Sequence, residues 1–215
     1  MTHKSRWPRL VRRSVLLSLL TLAAVVGTAF AAAGGRDGGA PAQGASIDRQ
    51  VQTLIRENGA ISRKIAVQLV KTKQALDKYR SVAAAKAAGY VQSGACAFSV
   101  AGAGEESSHP GGMGVHFTSD AALKDGKLIA TKPEVLVYAP TPAGLQLVAA
   151  EYFQPDADQS TKTDGDRPSI FGRALDGPML GHAPGMPIHD DLHVWLWKHN
   201  PSGLFAPWNP DVSCS

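Results

Sequence analysis

The period of the apolar positions changes twice along the chain. An unbroken apolar run, "SVLLSLLTLAAVVGTAFAAA" from Ser14 to Ala33, follows a start that carries Lys4, Arg6, Arg9, Arg12 and Arg13 and no acid. Charged, then apolar, then small is the order of an export signal, predicted over residues 1–31 with cleavage after Ala29-Phe30-Ala31. The run is also about long enough to span a bilayer, so an uncleaved anchor is the alternative. Residues 32–46 are rich in Gly, Ala and Pro and have no apolar period, which predicts a flexible linker. Ser46 then reads as the N-cap of a helical segment over 47–89. Within it Ile61, Ile65, Leu69, Leu76 and Tyr79 recur at roughly helical spacing and make an apolar stripe. Gly59 interrupts the segment, and Gly89 sits where a helix ends.

From Tyr90 onward the apolar runs shorten and Gly and Pro become frequent. "GVHFT", "PEVLVYA", "LQLVAAEYF" and "DLHVWLWKH" read as strands. "SDAALKDGK", "PTPAGL", "PDADQSTKTDGDRP" and "NPSGLFAPWNP" read as the turns between them. No long helix separates the strands, so a parallel βαβ sheet is not expected. The predicted fold is α+β: a helical N-terminal segment, then an antiparallel sheet or barrel over 90–215, a length sufficient for one core.

Charge changes the picture once the N-terminus is set aside. The whole chain is formally +4. Residues 32–215 hold 17 Lys and Arg against 18 Asp and Glu, so the net charge falls to −1 and nucleic acid is not an expected partner. The helical segment is basic, 9 cations against 3 acids, and 90–215 is acidic, 7 against 14. The two parts complement each other, or the basic helices meet an anionic envelope surface. "RRSVLL" also matches a twin-arginine export signal loosely, with Val11 where Ser or Thr is usual. Cys96 and Cys214 are the only cysteines. Outside the cytoplasm such a pair forms a disulfide, the alternative being two separate buried thiols.

The candidate chemistry gathers near the last strand. "GHAPGMPIHDDLHVWLWKHN" holds four of the seven histidines. Alternation puts Leu192, Val194 and Leu196 on one face and His193, Trp195, Trp197 and His199 on the other. His189 lies four residues before His193 and shares its face. His116 faces away from Val115 and Phe117, and Glu151 shares a face with Leu147, Ala149 and Phe153. A carboxylate on an apolar strand face is costly unless it is paired or ligated. Imidazole and carboxylate from three strands match the ligands of mononuclear Zn, Fe, Mn or Cu sites. Each methionine after Met1 is followed three residues later by His: Met113–His116, Met179–His182 and Met186–His189. Thioether with imidazole suits copper, so copper is slightly favoured over zinc or iron. The expected site is one transition-metal ion on His116, His189 and His193, with Glu151 as a candidate fourth ligand and His182, Met113 and Met186 in reserve. The alternative is a non-metal module, either with Trp195 and Trp197 lining a pocket for a small ligand or as a structural part of the cell envelope. His109 reads as a loop residue. The Asp-rich "PDADQSTKTDGD" lacks the EF-hand spacing and closing Glu. No G-x-S-x-G, H-E-x-x-H or Walker loop appears, so hydrolase and nucleotide readings find no motif.

"KYRSVAAAKAAGYV", "GGMGVHF", "PEVLVY", "LVAAEYF" and "LHVWLWKHNPSGLFAPWNPDVSC" resemble a group of small exported bacterial proteins described as hypothetical. The resemblance covers about Lys78 to Cys214. It implies export and one shared domain, and brings no established activity. A cupin-like barrel is a more distant likeness, and its H-x-H-x3,4-E signature is missing because "GVHF" has a single His.

Overall fold

The computed structural model describes residues 40–59, 61–99 and 111–215. The expected signal over 1–31, the first part of the linker and His109 lie outside these residues.

Helix α1 spans Ala40–Asn58, α2 spans Arg63–Leu76, and a 3-10 turn at Asp77–Arg80 leads into α3, Val82–Ala87. Two boundaries differ from the expected ones. α1 begins inside the stretch read as linker, so Ser46 is no cap; its Oγ accepts from Gln50 Nε2 one turn on. The cap belongs to Ser62, whose Oγ takes the Ile65 N–H at 3.3 Å and opens α2. Val51 of α1 packs on Ala66 and Val70 of α2, which joins the two helices.

Among the described residues the sheet is antiparallel and has seven strands. β1 is Tyr90–Gln92, β2 Ala97–Ser99, β3 Gly111–Ser119, β4 Val135–Thr141, β5 Gly144–Pro155, β8 Asp176–Met179 and β9 His189–Val194. They lie in the order β1-β3-β4-β5-β9-β8, with β2 beside the first half of β3. A small hairpin, β6 Ser169–Ile170 with β7 Arg173–Ala174, stands apart from this sheet. The segment "SDAALKD", read as a turn, holds a short helix instead: α4, Asp120–Asp125, capped by the Ser119 hydroxyl.

The two faces of the sheet differ. On one, Val115, Phe117, Leu136, Tyr138, Tyr152, Leu192 and Val194 pack with Leu69, Leu76 and Tyr79 of the helical segment. Each such side chain contributes about 1.5–3 kcal/mol by leaving water. The buried tyrosine hydroxyls find carbonyls: Tyr138 donates to Tyr79, Tyr90 to Pro133 and Tyr152 to Ala130. The helices and the sheet therefore share one core. The other face is built of smaller side chains, Val135, Val137, Ala139 and Ala149, with Trp195 and Val212 over them. The C-terminal tail crosses here. Gly112 N–H donates to the carbonyls of Asn209 and Val212, and a disulfide joins Cys214 to Cys96 just before β2.

Candidate metal centre

The second face of the sheet carries the histidines. His116 of β3 pairs with Val137, and Glu151 of β5 lies between Val135 of β4 and His193 of β9. Two small valines thus form a floor between the flanking donors. His116 Nε2 lies 3.3 Å from Glu151 Oε2, and His193 Nε2 lies 3.7 Å from the same oxygen. Donor atoms of the three residues all fall within 4.8 Å of one another. Glu151 is 6 % exposed and His193 1 %. Among the described residues, Glu151 Oε2 and both ring nitrogens of His193 are buried with no hydrogen-bond partner.

A second group adjoins the first. Asp191, two residues before His193 on the same face, sets Oδ1 3.7 Å from His193 Nδ1 and Oδ2 3.8 Å from His189 Nε2. His182, His189 and Asp191 also bring donor atoms within 4.8 Å of one another. His189 is fully buried, stacks on Phe153 at 4.6 Å, and sets Nδ1 3.0 Å from the Pro187 carbonyl. The seven expected site residues therefore divide. His116, Glu151 and His193 form one cluster, His182 and His189 belong to the other, and Asp191 enters as a donor that the sequence reading passed over. Its signal was present, since in "HDDLH" alternation places Asp191 beside both histidines.

Both groups border a cavity of about 640 Å³, whose walls include Met113, Met186, Phe98, Phe153 and Trp208. Met113 and His116 reach it together although they stand three positions apart. Gly114, at φ +116°, bends β3 between them. A Cβ there would lie 2.6 Å from the Tyr138 carbonyl oxygen, so the bend and the close strand contact both require glycine. Leu147 does not share the Glu151 face. β5 bulges beside Val137 and Tyr138, which sends Leu147 to the helix side and leaves Val148 on this one.

The expected tryptophan wall is rearranged as well. β9 ends at Val194 because the Trp195 N–H turns to the Leu204 carbonyl. The Trp195 indole is buried over Ala149 and donates to the Ala206 carbonyl. Trp197 packs on the helix side, and its Nε1 donates to Asp77 at 2.7 Å. Neither lines the cavity, where the indole is that of Trp208. Asp156, Asp158 and Asp166 also lie close together. Asp156 accepts the Ser160 N–H and Asp158 the Thr163 hydroxyl, so this Asp-rich turn is folded by its own hydrogen bonds.

The electrostatics divide the donors. Burial, then the charge on His193, lowers His116 to about 3, so this imidazole is neutral and offers a lone pair at pH 7. Burial pushes Glu151 up, with His193 opposing it. Burial works against charge on His193 too, but the Glu151 and Asp191 carboxylates outweigh it and raise this pKa. The opposed effects on Glu151 and His193 make this pair a place where a proton and a bound cation would compete. No protein-family model, curated protein or solved structure matches the chain.

Proposed function

We propose that this protein binds a divalent transition-metal ion through His116, Glu151 and His193. One observation carries the reading: three donors from three strands converge on a buried point where Glu151 Oε2 and the His193 nitrogens have no hydrogen-bond partner. Separations of 3.3 and 3.7 Å suit atoms that share one ion, since two metal–ligand bonds of about 2.0–2.2 Å place their donors roughly 3–4 Å apart. Two imidazoles and a carboxylate suit zinc or ferrous iron. Copper was favoured for its thioethers, but Met113 and Met186 stand in the cavity wall beside a donor set of nitrogen and oxygen. Three protein donors leave further coordination positions to water or to a small molecule in the cavity. The protein is proposed to work outside the cytoplasm. The charged and apolar N-terminus supports this, as does a Cys96–Cys214 disulfide of the kind that persists in oxidising compartments.

Elemental analysis of protein purified without a histidine tag tests the reading, alongside Glu151→Gln and His193→Ala. Zinc or iron near stoichiometry, with at least one equivalent lost in either variant, is expected. Unchanged metal content in both variants would sink the assignment. A second reading is favoured by the apolar walls at Phe98, Phe153 and Trp208: a small aromatic ligand binds without metal. Quenching of tryptophan fluorescence by such ligands in metal-free protein, with none by metal ions, would decide for it.

A further inference from the structure

The donors His182, His189 and Asp191 stand beside the first cluster and meet it where Asp191 Oδ1 lies 3.7 Å from His193 Nδ1. Their surroundings differ. His189 and Asp191 are buried on β9, whereas His182 is exposed on the loop over 180–188 that joins β8 to β9. Beside the Pro187 carbonyl, His189 Nδ1 is the protonated nitrogen, so the lone pair of the neutral ring is on Nε2. That lone pair faces Asp191 Oδ2 across 3.8 Å. With the His182 ring these atoms make a group whose donors all lie within 4.8 Å of one another, the imidazole and carboxylate set that holds a divalent cation. The His182 ring closes the group from the loop, with its centroid 5.2 Å from that of His189.

The loop is shaped to keep His182 there. The Met186 N–H donates to the Ala183 carbonyl, which makes a turn. Gly181 lies so close to the Met186 carbonyl that any side chain at 181 would collide with it. Residues Ala183 to Pro187 then form one wall of the cavity.

We propose that His182, His189 and Asp191 bind a second divalent cation, which fastens the loop over 180–188 to β9 and fixes that wall of the cavity. Zinc is the probe. Full-length protein, stripped of metal and titrated with zinc, is compared with His182→Asn and Glu151→Gln by counting bound ions and by amide hydrogen exchange over 180–188. The wild type is expected to take two zinc ions per chain, and exchange in the loop should slow roughly tenfold once free zinc reaches about ten times the dissociation constant. His182→Asn, an exposed change away from the first cluster, should keep one ion and lose the slowing. Glu151→Gln should lose one ion and keep it. One ion per chain that survives His182→Asn overturns the second site and leaves the first in place. Two ions in Glu151→Gln would instead overturn the first assignment and leave the second. Loop exchange indifferent to zinc, or no zinc bound at all, overturns the proposal.

Discussion

Two buried glutamates on this sheet show how surroundings assign different roles to one residue type. Glu151 faces imidazoles, whereas Glu134, just before β4, is 1 % exposed and receives the Phe153 N–H on Oε2 at 3.1 Å. Burial outweighs that hydrogen bond and pushes Glu134 up to about 7. The folded state therefore holds a proton that the unfolded chain releases near 4.5. The sign follows from linkage: stability is greatest below the unfolded pKa and falls as pH rises through 7. Glu134→Gln keeps an acceptor for Phe153 and cannot ionise. Denaturant unfolding at pH 8 is expected to show the variant more stable by on the order of 1–3 kcal/mol, with the gap narrowing as pH falls from 7 toward 4.5. Parallel stability curves across that range would refute this account. At this scale much of the candidate site was legible. His116, Glu151 and His193 alternate with apolar residues along their strands, so the strand period alone aims them to one side. Asp191 obeyed the same period but was overlooked beside a histidine-rich stretch. Trp195 and Trp197 misled because the period was carried past Val194, where the backbone has already left the strand.

At the scale of elements, β3 is the strand on which the site depends most. Its N-terminal half is close to its neighbours on both sides, and Gly114 makes the contact with β4. Gly114→Ala would place a methyl group against the Tyr138 carbonyl and a side chain at a backbone angle that L-residues rarely adopt. A loss of roughly 2–4 kcal/mol is expected in denaturant unfolding, with weaker metal binding because Met113 and His116 would be re-aimed. A variant as stable as the wild type would mean that β3 bends by another route. The strands were readable because alternation and Gly/Pro punctuation are local signals. Three features were not, for a shared reason. The bulge at Val148, the end of β9 and the early start of α1 are set by partners distant in sequence or by neighbours without an apolar period. The Trp197 N–H, for instance, bonds to the Val148 carbonyl, and no periodicity in either segment announces it. α4 was hidden by its length of six residues, too short to build a stripe.

For the whole molecule, the decisive link is between the C-terminal tail and the sheet face that carries the donors. The tail is held by backbone hydrogen bonds to Gly112, by burial of Val212 and Trp208, and by the Cys96–Cys214 bond, which closes a sequence separation of 118 residues. In the chain-entropy picture a loop of that size is worth roughly 5 kcal/mol, and distortion or residual structure lowers the realised figure. The double variant Cys96→Ser/Cys214→Ser is expected to lose about 2–5 kcal/mol in denaturant unfolding. The loss should not be spread evenly. Residues Asn209 and Val212 are joined to β3 only at its glycine-rich start, so without the disulfide the tail opens before the sheet does. Amide exchange at Val212 should accelerate more than that of Leu136 in β4. Trp208 should leave the cavity wall in that opening, exposing the donors and weakening retention of the proposed metal ion. Equal acceleration at both amides would show instead that the bond acts on the unfolded chain alone and that the tail holds without it.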